Sequence, residues 1–158
     1  MLNRLLSALD KTLPAPPTVH AHCDGPCGVY DPASARIAAE AAVSMTKKLL
    51  ALEVPDQSDT AAYQAYLNTY SRYVAIKEEQ AHLCKEELLV LWTDFFKPPH
   101  LEENPQIHDI FWKAAKECSA VKVELSLAHA EALMGHIEKI HDLFWSVKGR
   151  DVAYYTAS

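Results

Sequence analysis

Two thiols and an imidazole are crowded into one short stretch, His22-Cys23-Asp24-Gly25-Pro26-Cys27-Gly28-Val29-Tyr30-Asp31-Pro32. Thiolates are soft donors that select thiophilic metals, and nitrogen donors in a planar array suit Cu(II) or Ni(II). Cys23 and Cys27 are too close for an ordinary long-loop disulfide, and Gly25, Pro26 and Gly28 let the backbone curl around a single atom. The stretch reads as a hook for a redox metal. A structural zinc loop and a pair of unligated thiols are the plainer alternatives, and a bare pair of cysteines at this spacing would favour them.

The neighbouring residues change that balance. The stretch resembles the nickel-binding hook of nickel superoxide dismutases, H-C-x-x-P-C-G-V-Y-D-P, whose histidine is the first residue of the mature chain. Every fixed position from His22 to Pro32 is present. A second block similar to that family, Leu91-Trp92-Thr93-Asp94-Phe95-Phe96-Lys97-Pro98-Pro99-His100, follows at the expected distance, and Phe144-Trp145 is a weaker echo. The resemblance covers residues 22–148. It implies a homohexamer of four-helix subunits, one nickel ion in each, that disproportionates superoxide to oxygen and hydrogen peroxide.

The resemblance also assigns roles. The thiolates of Cys23 and Cys27, the backbone nitrogen of Cys23 and the free amine of His22 would hold the nickel, with the His22 imidazole as axial ligand of the oxidised state. Anionic sulfur and amide donors bring Ni(III) within reach, and all must lose protons first, so loading should depend on pH. Tyr30 would stand over the open face of the metal, although a packing tyrosine with a wet hydroxyl is the plainer reading. Asp24 would fix the hook by hydrogen bonds, and Pro26 would carry a cis bond. The chain departs from the family at Ala38 and Gln80, where a glutamate and an arginine steer the axial imidazole. The surroundings of His22 must therefore be built differently, with Glu40, Glu79 or a backbone carbonyl as candidates, and such outer partners tune ligand basicity.

Another constellation competes. Glu79-Gln80-Ala81-His82 and Glu138-Lys139-Ile140-His141 are E-x-x-H pairs within helical patterns. On two helices of a bundle, that spacing belongs to di-iron carboxylate sites. Glu138 and His141 flank the apolar stripe of their helix, so a solvated face or a subunit contact explains them more simply. A non-enzymatic nickel or zinc carrier using only the hook is a third reading. Cys84 and Cys118 fall within helical patterns and read as small buried hydrophobes.

The elements that must position the hook are helical. A chain of 158 residues, 49% hydrophobic with only 4 Gly, suggests one domain with a real core. No apolar run approaches a membrane span, and a formal charge of −6 argues against nucleic acid. That sign repels an anionic substrate, so superoxide needs local positive potential at the hook mouth.

Leu2, Leu5, Leu6 and Leu9 form a short apolar stripe before the extended Leu13–Thr18 linker. Residues 1–21 read as a prosegment removed by a processing peptidase rather than as an export signal, which places the protein in the cytoplasm. Its removal takes away Arg4, Lys11 and Asp10 and leaves the chain at about −7.

Asp31 is a natural cap, and Pro32 a natural first residue, for a helix running to about Glu53 with Ile37, Ala41, Met45, Leu49 and Leu52 inward. A long second helix carries Tyr63, Tyr66, Tyr70, Val74, Ala81, Cys84, Leu88, Leu91 and Phe95 near one seam, its tyrosines suiting core or subunit contact. Lys97-Pro98-Pro99 ends it. Asn104-Pro105 opens a third with Ile107, Phe111, Ala114, Cys118 and Val121 inward. A turn near Val123–Ser126, with Ser126 as cap, leads to a last helix with Leu133, Ile137, Ile140, Phe144 and Val147 at bundle spacing. Gly149 closes it, and residues 149–158 read as a loose tail or contact arm. The expected fold is an all-α, antiparallel up-down four-helix bundle over residues 33–148, preceded by a hook at 22–32.

Overall fold

The structure is a computed structural model that describes residues 28–157. Helix α1 (Ala33–Leu50) is followed by α2 (Thr60–Val90), which continues through one π-helical turn at Leu91–Phe95. A short α3 (Pro98–Glu103) leads to α4 (Ile107–Val123) and α5 (Leu127–Val147), and the described residues contain no strand.

The four long helices form a ring in which α1 packs on α2, α2 on α4, α4 on α5 and α5 on α1. Their directions alternate. Tyr30 meets Phe95 at one end of the α1–α2 pair, and Lys48 meets Tyr73 towards the other. Along the α2–α4 pair, Trp92 meets His108, Cys84 meets Cys118, and Lys77 meets Val121.

Each helix starts and stops for local reasons. Asp31 Oδ1 accepts from the Ala33 amide at 2.8 Å, and the Pro32 ring supplies the fixed φ that the first turn needs. Asp59 caps α2 by accepting from Ala62 N at 3.0 Å, and Ser126 caps α5 by accepting from His129 N at 3.3 Å. Gly149, at φ +65°, takes the left-handed conformation that ends α5. The two prolines after Lys97 do more than stop α2. They open α3, because a proline at the first helical position lacks only an amide that would have no partner there.

The core follows the expected seams of α4 and α5 closely. Ile107, Phe111, Ala114, Cys118 and Val121 are buried, as are Leu133, Ile137, Ile140 and Phe144. Helix α1 departs from expectation: it ends at Leu50, Ile37 is 58% exposed, and Ala41 and Met45 are only half-buried. Its buried face is Ala35, Ala38, Ala39, Ala42, Thr46 and Leu49. Small side chains let α1 lie close against α2, so the bulky residues are displaced to its flanks. The tyrosines of α2 also leave the core: Tyr63 stacks on Tyr66 at 6.1 Å and Tyr66 on Tyr70 at 5.9 Å, along a half-exposed face.

Two features were not legible beforehand. Lys77 is 4% exposed, and its ammonium donates to the carbonyls of Val121, Lys122 and Glu124, capping the C-terminus of α4. Burial draws its pKa below the usual lysine value. The tail is not loose. Residues 150–157 return along α5 and α1, with the Val152 carbonyl 2.7 Å from His141 Nε2 and the Ala157 amide 2.8 Å from Glu40 Oε2.

Candidate metal centre

Of the hook, the structure describes Gly28 to Pro32; His22, Cys23, Asp24, Pro26 and Cys27 lie outside the described residues. Gly28, directly after the second cysteine, has φ +65°, a conformation that strains any residue with a side chain. Val29 is 72% exposed, whereas Pro32 is fully buried at the head of α1. The chain thus passes from open surface into the bundle within a few residues.

Tyr30 joins the two sequence blocks. Its half-buried ring lies 5.7 Å from Phe95, in the π turn of α2. Phe95 touches Phe144 of α5 at 4.4 Å, Phe96 at 4.9 Å and His100 at 5.8 Å. An aromatic floor drawn from α2, α3 and α5 therefore supports the end of the hook. Lys148 places its ammonium 5.3 Å from the Phe95 ring centre and 5.7 Å from that of Phe144. This cation was missed in the sequence, since nothing local marks a lysine at a helix end as facing the distant Phe95.

The positions considered for steering the imidazole differ in burial. Ala38 is core, Gln80 is half-buried, and Glu79 is exposed. Glu40 is held by Arg36 at 2.5 Å through one oxygen and by the Ala157 amide through the other.

The competing constellation does not assemble. His82 and Glu86 form an exposed pair at 3.2 Å on α2, while His141 on α5 is buried and bonded to the tail. These helices stand diagonally across the ring. Among the described residues, no group of three or more His, Cys, Asp or Glu side chains is placed to hold a metal ion. Cys84 and Cys118 are buried with their sulfurs 3.7 Å apart. Their mutual hydrogen bond and burial push the Cys84 thiol well above its ordinary pKa, which suits an inert core thiol rather than a ligand. The donor set His22, Cys23 and Cys27 remains, and its two sulfurs and nitrogen fit a thiophilic redox ion.

The sequence model of the nickel-containing superoxide dismutase family matches residues 17–148. The chain belongs to that family. A superoxide dismutase [Ni] from Streptomyces seoulensis is 39% identical over 148 residues, 94% of this chain and 98% of the relative. One from Streptomyces coelicolor is 38% identical over 131 residues, 83% of this chain and 91% of the relative. A crystal structure of a Ni-containing superoxide dismutase, with nickel ligation of the oxidised state, superposes with a TM-score of 0.70 at 40% identity. It covers 81% of this chain and 99% of its own. The chain is thus a nickel-dependent superoxide dismutase, an oxidoreductase built on a helical bundle. Among the described residues, no helix is long and apolar enough to cross a membrane.

Proposed function

We propose that the chain disproportionates superoxide to oxygen and hydrogen peroxide with one nickel ion held by His22, Cys23 and Cys27. The observation that carries this reading is the complete hook motif from His22 to Pro32, joined through Tyr30 to the aromatic block that follows α2. Nickel held there would supply one-electron chemistry through its Ni(II)/Ni(III) pair.

The chain's own residues do the rest. The thiolates of Cys23 and Cys27 and the amine of His22 would hold the ion, and the His22 imidazole would stabilise its oxidised state. Tyr30, seated on Phe95, would limit access to the metal site and order water there. Asp24 fixes the hook by hydrogen bonds. Lys148 contributes positive potential at the same end, which favours approach of an anion to a chain whose net charge is −6.

Residues 1–21 are a prosegment whose removal by a peptidase exposes the His22 amine. The working form is a cytoplasmic homohexamer, and the half-exposed ladder Tyr63, Tyr66 and Tyr70 is a surface suited to subunit contact. Metal quantitation paired with a superoxide-decay assay, on protein starting at His22, tests the reading. One nickel per chain and fast decay are expected. Two irons per chain, or nickel bound without dismutation, would overturn it.

A further inference from the structure

We propose that residues 150–157 are a strap that clamps the opening turns of α1, the helix from which the hook projects. The segment lies beyond residue 148, where the family match ends, so its role is not inherited with the bundle.

The strap is fastened at several points. Gly149 turns the chain, the Arg150 amide donates to the Trp145 carbonyl at 2.9 Å, and the Arg150 guanidinium lies 4.7 Å over the Trp145 ring. His141 Nε2 meets the Val152 carbonyl at 2.7 Å; a carbonyl can only accept, so this nitrogen carries the proton. The Tyr154 ring packs 5.3 Å from the same imidazole. The far end reaches α1, where Arg36 lies 4.3 Å over the Tyr155 ring and Ala157 N donates to Glu40.

Those last contacts fall one and two turns beyond Pro32, the final residue of the hook. Arg36 is only 5% exposed and pairs with Glu40. An ion pair so covered is held well only when its remaining hydrogen-bonding capacity is met. The strap meets part of it: Tyr155 lies over the guanidinium, and the Ala157 amide takes the carboxylate oxygen that Arg36 leaves. The strap thus stiffens the turns of α1 that follow the hook.

Hydrogen exchange on metal-free protein tests the clamp without relying on the nickel reading. Ending the chain after Gly149 should speed exchange of the amides of residues 36–42 by about tenfold or more, because a shielded cation–π contact and a charge-assisted hydrogen bond are lost together. The amides of α4 should not change. Tyr155→Ala should show the same pattern more weakly and Tyr155→Phe should restore it, which keeps the test valid if the shortened chain folds poorly. Unchanged exchange at residues 36–42, or an equal rise in every helix, would overturn the proposal.

A second measurement rests on the proposed hook. Nickel should leave the Tyr155→Ala protein faster than a Leu133→Val protein matched in melting temperature, and equal release rates would show that the strap gives only general stability. A protein that binds no nickel at all would defeat the hook assignment while leaving the exchange result to decide the strap.

Discussion

The ring of Tyr30 lies 5.7 Å from that of Phe95, tilted by 54°, so the last aromatic residue of the hook is seated on the last turn of α2. This contact ties Gly28–Pro32, where Gly28, Val29 and Asp31 are exposed, to the most densely aromatic part of the bundle. Tyr30→Ala should cost about 1–3 kcal/mol of stability, since a half-buried ring and its aromatic partner are lost. Tyr30→Phe should keep the melting temperature and lower turnover. Thermal melts and superoxide decay on both variants separate the ring from the hydroxyl.

Cys23→Ser and Cys27→Ser should each abolish nickel retention and dismutation while circular dichroism stays at the wild-type helix content. Both precede α1 in the sequence, and among the described residues the cysteines of the core are Cys84 and Cys118. Substantial nickel-bound activity in either serine variant would refute the ligand assignment.

Full-length protein should be inactive beside a form that begins at His22. With the Ala21–His22 bond intact, the His22 nitrogen is an amide of low basicity and a poor donor. Nickel titration of both forms, with mass spectrometry to verify that the long one is uncut, makes the comparison; equal activity would defeat the precursor idea.

Lys77→Met should destabilise the fold by about 1.5–3 kcal/mol, because the C-terminal carbonyls of α4 lose a charged donor in a buried setting. Chemical denaturation measures this. A loss below about 0.5 kcal/mol would mean that water replaces the ammonium at no cost.

Tyr154 sets a pH limit on the strap. Burial, aided by the carboxylates of Glu138 and Glu40, raises its phenol above 10, with Arg36 opposing. Between 10 and the native value, the folded protein holds a proton that the unfolded chain releases, so stability from this group falls as pH rises. It is fully present below pH 10. Wild type should therefore lose melting temperature relative to Tyr154→Phe as pH passes about 10, and parallel pH curves would contradict the burial of the hydroxyl.

What was legible in the sequence follows from how each element is stabilised. Helices α4 and α5 bury large residues at steps of three and four, such as Phe111 and Phe144, so their inner faces could be read directly. Helix α1 buries alanines, which weigh little in any hydropathy pattern, and the reading followed Ile37 to the wrong side. The hook's donors were visible because they are adjacent in the chain. Its supports were not: Phe95 and Lys148 meet Tyr30's neighbourhood only through the fold, and Glu40 finds Ala157 across 117 positions. The π turn at Leu91–Phe95 has no periodic signal of its own.

The buried closeness of Cys84 and Cys118 bears on how the molecule ages. Peroxide attacks thiolates, and a thiol whose ionisation is suppressed and which water does not reach is a poor target. A protein that releases one peroxide for every two superoxide ions consumed therefore keeps one pair of sulfurs out of harm's way, while the pair proposed as ligands, Cys23 and Cys27, would have to stay reactive to work at all. Oxidative wear should accumulate in the hook and spare the bundle, leaving a folded scaffold that has lost its chemistry.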